Sequence, residues 1–208
     1  MTPSSERPRI EGDREQEILA ATLEVLADVG YDRLTMDAVA ARAKASKATL
    51  YRRWTNKVTL VIEALQHAKS PEDVPDTGSL REDLLTAFCG VGGLSDPHSV
   101  ANFSSVLTAI SRDPEFAEAF RRDVIGPKLA FSRAIWERAR DRGEVRADLD
   151  LDLLEPALAG IVLHRVFLLG ETPTLDLITR VVDQILLPAA TSCPATHHES
   201  HKETEATP

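Results

Sequence analysis

The chain has 208 residues, 43% of them hydrophobic, which is enough to bury a sizeable core and favours two compact units of unequal size. Its two cysteines, Cys89 and Cys193, lie far apart in sequence and exclude a disulfide framework or a cysteine zinc cluster. The chain has neither a signal-peptide core nor the ~18 apolar residues of a membrane span, so we expect a cytoplasmic protein.

The net charge of −9 argues against a nucleic-acid partner, but this charge is unevenly distributed. Residues 1–70 carry 11 basic and 10 acidic side chains, whereas residues 71–208 carry 13 and 23. No Asp or Glu lies between Ala38 and Ile62. Six basic residues lie in that interval: Arg42, Lys44, Lys47, Arg52, Arg53 and Lys57. This segment is where an anionic partner is expected to bind.

Helical periodicity without the strict alternation of strands predicts an all-α fold. Polar composition predicts a flexible arm over residues 1–12, a linker over 70–79 and a disordered tail over 189–208. Two helical domains remain, an amino-terminal one over 13–69 and a carboxy-terminal one over 80–188.

Start and stop signals place four helices in the amino-terminal domain. Thr35 and Ser46 can cap the second and third helices, Thr55 or Asn56 can cap the fourth, and Gly30 can end the first in a left-handed conformation. The predicted helices cover residues 13–29, 36–43, 47–53 and 57–69. Two short helices joined by a tight turn form a helix-turn-helix.

Five helices are predicted in the carboxy-terminal domain. They lie near residues 80–91, 98–111, 114–142, 152–169 and 174–187. Pro127 predicts a break or kink within the third of them. Asp152 and Glu155 have the spacing of a capping box, but Pro156 leaves the start of that helix uncertain by one turn.

The third helix has two different faces. At 100° per residue, Leu50 and Trp54 point toward the first helix, and Ala48, Tyr51 and Arg52 lie on the opposite face. A small side chain permits close approach to DNA, a phenol can bind a phosphate, and a guanidinium can bind a phosphate or guanine. The outer face therefore suits the DNA major groove.

Four further basic residues extend this surface. Lys47 lies at the edge of the same face, and Lys57 adds its charge to the positive end of the fourth helix, so both are expected to bind phosphates. Arg42 and Lys44 belong to the same basic segment. We therefore predict DNA as the anionic partner.

Residues 13–65 resemble the DNA-binding domain of the tetracycline-repressor (TetR) family. The resemblance rests on Gly30-Tyr31-Asp32-Arg33-Leu34-Thr35-Met36-Asp37-Ala38-Val39-Ala40, Ser46-Lys47-Ala48-Thr49-Leu50-Tyr51-Arg52-Arg53-Trp54 and Lys57. It implies operator contacts at Thr35, Ser46, Lys47, Thr49, Tyr51 and Lys57.

The chain departs from the family pattern at two positions. Lys44 occupies a turn position where the family usually has glycine, which predicts a left-handed residue at a cost of about 1 kcal/mol, or a locally different turn. Ala48 replaces a frequent glycine. Beyond residue 80 the resemblance is limited to the helix count, the turn at residues 142–144 and two closing apolar helices.

A helix-turn-helix protein usually binds two half-sites about 34 Å apart, so a homodimer is expected. The resemblance implies that helices 152–169 and 174–187 form the interface. Their apolar residues are Leu153, Leu154, Leu158, Ile161, Val162, Phe167, Val181, Val182, Ile185 and Leu186. His164 could line a pocket or the interface, although a buried, hydrogen-bonded histidine is the favoured interpretation.

The resemblance also implies a small-molecule effector that shifts the population of DNA-competent dimers, as in a ligand-responsive repressor. Aromatic or polarisable groups on the helices expected to surround a cavity are the candidate pocket residues. They are Cys89, Phe103, Phe131, Trp136 and His164. No cofactor is expected.

Other functions have less support in the sequence. His197, His198 and His201 could bind a metal, but the tail lacks a scaffold to fix their geometry, so no metal site is expected. A small helical enzyme or ligand carrier is the second alternative, but the sequence contains no nucleophile with a paired base that would support it. A third alternative is an interaction scaffold, whose association with nucleic acid would depend little on salt.

Overall fold

The computed structural model describes residues 7–67, 73–89 and 97–191, and all of its regular elements are helical. The helices are α1 (Arg7–Val29), α2 (Met36–Arg42), α3 (Lys47–Arg53), α4 (Lys57–His67), α5 (Leu80–Cys89), α6 (Pro97–Arg112), α7 (Pro114–Phe120), α8 (Gly126–Asp141), α9 (Leu151–Leu154), α10 (Ala157–Leu169), α11 (Leu175–Val181) and α12 (Leu187–Thr191). Two π-helical turns, Arg121–Ile125 and Val182–Leu186, join α7 to α8 and α11 to α12. The predicted all-α fold is confirmed.

The first helix is longer than its sequence pattern predicts, since α1 begins at Arg7 and not at Asp13. Gly30 ends the helix with a positive φ of 77°, as predicted, and its N–H donates to the carbonyl of Leu26 at 3.0 Å.

Side-chain caps set the starts of the short helices. Ser46 Oγ accepts from the backbone N–H of Thr49 at 3.1 Å, as predicted for the start of α3. Asn56 Oδ1 accepts from the N–H of Thr59 at 2.9 Å, so Asn56 and not Thr55 caps α4. Local sequence signals therefore fix where these helices begin.

The predicted break at Pro127 takes the form of a π turn. Residues 121–125 widen between α7 and α8, and the N–H of Gly126 donates to the carbonyl of Arg121. Pro127 occupies the first turn of α8 and lacks the N–H that would reach back one turn, and the carbonyl of Asp123 in that turn accepts from the Gln66 side chain at 2.8 Å. The proline thus restarts the helix.

The predicted capping box at Asp152 is wrong. Asp150 accepts from the backbone N–H of Asp152 at 3.0 Å and starts the four-residue α9. Asp152 and Glu155 instead accept hydrogen bonds from Arg133. Because a proline cannot donate within a helix, Pro156 separates α9 from α10.

The buried apolar residues form two cores. The first core, which we call the amino-terminal core, unites α1–α4 with side chains from α6, α7 and the following π turn: Val106, Ala109, Phe116, Phe120 and Val124. The second core is built by α5, α8, α10, α11 and their connections. The helix-turn-helix therefore shares one continuous core with α6 and α7.

Polar contacts reinforce that junction. They are Arg112 to Asp32 at 2.8 Å, Asn56 to Glu115 at 3.3 Å, Ser105 to the carbonyl of Leu26 at 3.2 Å, and Gln66 to the carbonyl of Asp123 at 2.8 Å. Each joins one of the first four helices or their connections to α6, α7 or the π turn after it. A movement of α6 or α7 would consequently displace the helix-turn-helix.

Candidate nucleic-acid interface

The inner face of α3 is anchored in the amino-terminal core. Leu50 is fully buried and Trp54 is 2% exposed. The indole N–H of Trp54 donates to Glu63 Oε2 at 2.8 Å, which satisfies its polar atom beside α4. The predicted orientation of these two side chains is confirmed.

The opposite face of α3 is open to solvent. Ala48 and Arg52 are exposed, and Tyr51 is 54% exposed despite its large ring. In the part of the chain that the structure describes, Tyr51, Arg52 and Lys44 make no side-chain hydrogen bond or ion pair. These side chains are free to bind a partner across that face.

The turn between α2 and α3 contains the predicted left-handed residue. Lys44 has a φ of 50°, and the N–H of Ala45 reaches back to the carbonyl of Ala40 at 2.9 Å. Arg14 of α1 donates to the carbonyls of Ala43 at 2.9 Å and Lys44 at 2.7 Å. The guanidinium satisfies carbonyls at the end of α2 and fixes the turn against α1.

Sequence reasoning missed Arg14. It lies 29 residues before the first carbonyl that it binds, and no local pattern in α1 marks it. Only the tertiary packing of α1 beside the turn brings the two together.

Some of the predicted basic surface is neutralised by distant acids. Arg42 binds Glu24 at 3.0 Å and Asp28 at 2.7 Å, both on α1. The acid-free interval in the sequence is therefore not acid-free in space. Arg42 joins α2 to α1 and is less available to an external anion.

Two more cations of the segment are paired. Arg53 binds Glu15 at 2.9 Å and Glu63 at 2.7 Å. Lys47 binds Asp37 at 2.6 Å, and this hydrogen bond raises the pKa of the Lys47 ammonium. The Lys47 pair is exposed, so it contributes little to stability and can open when a phosphate competes.

Three predicted hydroxyl contacts lie at helix starts. Thr35 Oγ1 accepts from the N–H of Ala38 at 3.1 Å, as predicted for the cap of α2. Ser46 Oγ and Thr49 Oγ1 are 2.8 Å apart at the start of α3. Their hydroxyls shape the ends of the helix-turn-helix and lie beside its exposed face.

Lys57, at the start of α4, is held against the loop that follows α1. Its ammonium donates to the backbone carbonyl of Tyr31 at 3.2 Å and lies 4.1 Å from the centre of the Tyr31 ring. The side chain is half-buried. Its charge is therefore positioned by Tyr31, a residue to which the sequence pattern assigned no role.

The candidate pocket residues do not share a described cavity. Trp136 is buried in the second core, Phe103 stacks on Phe167 with ring centres 5.4 Å apart, and Phe131 is half-buried against the second core. His164 is exposed, so its interpretation as a buried histidine is wrong. The Cys89 side chain lies outside the described part.

Two surface cavities lie elsewhere. One, of about 410 Å³, lies between the α1–α2 connection and α6. The other, of about 530 Å³, lies between α8 and α9. The pocket residues remain a prediction.

The closing helices contain both core and exposed apolar residues. Of the predicted interface residues, five are buried within the chain: Leu158, Val162, Val181, Val182 and Leu186. Large apolar side chains that are exposed in the same region are Leu153, Leu168, Leu169, Leu175 and Ile185. An apolar surface is thus left uncovered on α9–α11 and the turn after α11.

Other patterns receive no structural support. The histidines of the tail lie outside the described residues. Among the residues described, no group of three or more His, Cys, Asp or Glu is placed to hold a metal ion. None of the described helices is long and apolar enough to cross a membrane.

The short capped helices, the turn between them and the exposed face of α3 define a helix-turn-helix DNA-binding protein. Two family models match this chain. A model described as bacterial regulatory proteins, tetR family, matches residues 18–64. A model described as the tetracyclin repressor-like C-terminal domain matches residues 74–185.

Curated relatives extend the similarity over most of the chain. An uncharacterised HTH-type transcriptional regulator of Mycobacterium tuberculosis is 37% identical over 86% of this chain and 88% of the relative. The DNA-binding transcriptional repressor TetR of Mycobacteroides abscessus is 36% identical over 84% of this chain and 92% of that protein. The chain belongs to the TetR family of helix-turn-helix transcriptional regulators.

A solved structure shows the same fold. The transcriptional regulator FadR from Bacillus subtilis, crystallised in complex with stearoyl-CoA, superposes with a TM-score of 0.67. It is 18% identical and covers 85% of this chain and 98% of its own.

Proposed function

We propose that this regulator is a homodimeric, ligand-responsive repressor that binds a palindromic operator. In this proposal α3 of each protomer enters a major groove, and α4 contributes a phosphate contact at its start. The proposal assigns the chain no catalytic reaction and no cofactor. We also propose a cytoplasmic location, since operator DNA is its target.

One observation carries the proposal: the two faces of α3 differ completely in exposure. Leu50 and Trp54 lock one face into the core, while Ala48, Tyr51 and Arg52 stand free on the other. A rigidly seated helix can present its outer side chains to base edges with little further loss of conformational freedom. An exposed tyrosine beside an exposed arginine is suited to phosphate and guanine contacts.

The proposed DNA contacts divide by their present partners. Among the described residues Lys44, Tyr51 and Arg52 have no side-chain hydrogen bond or ion pair, whereas Lys47 and Lys57 hold contacts that a phosphate can replace. The full proposed set is Thr35, Arg42, Lys44, Ser46, Lys47, Ala48, Thr49, Tyr51, Arg52 and Lys57. Within this set Arg42 contributes least, because two α1 carboxylates already bind it.

The exposed apolar side chains support dimerisation through α10, α11 and the turn that follows α11. Leu168 is 74% exposed, Leu175 59% and Ile185 44%. Exposed apolar side chains on neighbouring helices mark a candidate interaction surface. A second copy of the chain would cover it in a two-fold arrangement that matches a palindrome.

Ligand control is the remaining part of the proposal. The FadR structure holds stearoyl-CoA on the same fold, which supports a small-molecule effector for this chain as well. We keep the division into a DNA-binding domain over 13–69, a linker over 70–79 and a regulatory domain over 80–188. Its pocket would involve Cys89, Phe103, Phe131, Trp136 and His164, and the core shared with α6 and α7 would transmit the change.

The test is selection of duplexes from a random-sequence library by the purified protein, followed by sequencing. We expect enrichment of a palindrome whose half-sites are separated by about one helical turn or a multiple of it. Recovery of unenriched sequence, with the protein folded and dimeric, would contradict operator recognition.

A further inference from the structure

Tyr31 lies between the DNA-binding unit and the start of α7. Its side chain is 3% exposed, its ring centre is 4.5 Å from that of Phe116, and the Lys57 ammonium lies over its face. A tyrosine that served only as a core aromatic would not need its hydroxyl. The Tyr31 hydroxyl, however, donates to Asp113 Oδ2 at 2.8 Å.

Each carboxylate oxygen of Asp113 accepts a hydrogen bond. Oδ1 accepts from the N–H of Phe116 at 3.0 Å as the cap of α7, and Oδ2 accepts from Tyr31. The N–H of Phe116 and then the Tyr31 hydroxyl lower the pKa of Asp113. Burial, together with the bond to Asp113, raises the pKa of Tyr31. The pair is therefore a carboxylate and a neutral phenol at physiological pH.

The Asp113 carboxylate and the Lys57 ammonium attract each other across Tyr31. That attraction contributes to the lowered pKa of Asp113, yet the two groups form no ion pair within 4.0 Å. Instead, the ammonium is held by the carbonyl and the ring face of Tyr31. Neither is a full negative charge, so a DNA phosphate can compete for Lys57 at lower cost than against a carboxylate.

We propose that Tyr31 is a positioning residue for DNA binding, which occupies Asp113 and thereby keeps the Lys57 ammonium available to a DNA phosphate. The α6–α7 junction, where Asp113 lies, then controls DNA affinity through this hydrogen bond. The inference rests on the proposed contact between Lys57 and a phosphate.

Removal of the hydroxyl alone isolates the effect. In Tyr31→Phe the ring remains for Phe116 and for Lys57, but Asp113 Oδ2 loses its donor and draws the ammonium away from DNA. Asp113→Asn keeps an oxygen to cap α7 and removes the negative charge. Lys57→Met removes the ammonium and keeps an unbranched side chain.

The experiment measures affinity for one duplex that the protein has selected from a random library, by anisotropy at fixed salt. Tyr31→Phe should weaken binding about threefold to tenfold, and adding Asp113→Asn should restore it to within about twofold of wild type. In the Lys57→Met background Tyr31→Phe should have no effect beyond about 1.5-fold. Unfolding curves measure stability separately, and Tyr31→Phe should destabilise the fold slightly less with Lys57 present than in Lys57→Met, because only then can Asp113 gain the ammonium as a partner.

The results separate failure of this inference from failure of the proposed contact. Unchanged affinity of Lys57→Met would overturn the phosphate contact and the inference with it. If Lys57→Met weakens binding but Tyr31→Phe does not, or weakens it equally with and without Lys57, the positioning role is overturned. Failure of Asp113→Asn to restore the Tyr31→Phe variant would overturn it too.

Discussion

At the scale of single residues, Lys44 combines a structural cost with a place among the proposed DNA contacts. It adopts a φ of 50°, which glycine tolerates and a side chain with Cβ does not favour. Two Arg14 hydrogen bonds to this turn offset the strain. The sequence predicted the conformation because the turn position usually contains glycine in the family, but it contained no local signal for Arg14.

Lys44→Gly should stabilise the fold by about 1 kcal/mol, since glycine relieves the left-handed strain. Urea unfolding of wild type and variant measures the difference. The control Lys44→Ala removes the charge and keeps the Cβ, so it should give no gain. An equal gain from both variants would mean that charge repulsion, and not backbone strain, is the cost.

Tyr51→Ala should weaken operator binding by about 1–3 kcal/mol and leave the dimer intact, because the side chain is 54% exposed and is not among the core residues. Fluorescence anisotropy with the selected duplex measures affinity, and sedimentation measures the dimer. Tyr51→Phe separates the roles, since it retains the ring and removes the hydroxyl. Wild-type affinity in Tyr51→Ala would contradict the docking of α3 in the groove.

At the scale of elements, prediction succeeded where a cap and a period act locally. Ser46 and the alternation of buried and exposed positions in α3 are readable within a few residues. The start of α9 was predicted wrongly because two candidate caps, Asp150 and Asp152, lie close together. Arg133 from α8 binds the second, and this tertiary contact cannot be read from local spacing.

The buried carboxylate of Asp83 stabilises the segment before α5. Asp83 is fully buried and accepts from the Thr77 N–H at 2.6 Å, the Thr77 hydroxyl at 2.7 Å and Arg142 at 3.2 Å. Burial alone would raise its pKa, but the hydrogen bonds from Thr77 and Arg142 outweigh burial and lower it. The contribution of Asp83 to stability is therefore present above the unfolded pKa of about 3.9 and lost as pH falls below it.

Asp83→Asn should cost about 1–3 kcal/mol at pH 7, because Arg142 loses a buried carboxylate partner but keeps Glu144 at 2.5 Å. The difference in free energy of unfolding between wild type and variant, from urea curves at neutral and acidic pH, should become smaller as Asp83 becomes protonated in the wild type. Asp176→Asn, on an exposed helix pair, is the matched control and should change little. A stability difference that does not change with pH would show that the shape of the side chain, and not its charge, explains the destabilisation.

At the scale of the whole molecule, the charge pattern was only partly predictive. The sequence places six cations in an acid-free interval, but Arg42, Lys47 and Arg53 are paired with acids that lie outside it. Packing of α1 and α4 against the helix-turn-helix creates the Arg42 and Arg53 pairs, and packing of α2 against α3 creates the Lys47 pair. The exposed face of α3 was predicted correctly, because the helical period alone determines which of its side chains point outward.

Assembly is the second property of the whole molecule. Leu168→Glu or Ile185→Glu should dissociate the dimer without unfolding the chain, since both side chains are exposed in the single chain. Leu107→Glu on α6 is the control, with the same 44% exposure as Ile185. Sedimentation velocity should report monomers only for the first two variants. Dimers that persist in both would place the interface elsewhere.

The most direct test is the affinity of wild-type protein for its selected duplex and for a scrambled duplex of equal composition, measured across a salt series. We predict that the scrambled duplex binds at least about 10³-fold more weakly and that both affinities fall steeply as salt rises. Equal affinities, or binding indifferent to salt, would contradict the claim that the exposed face of α3 reads DNA.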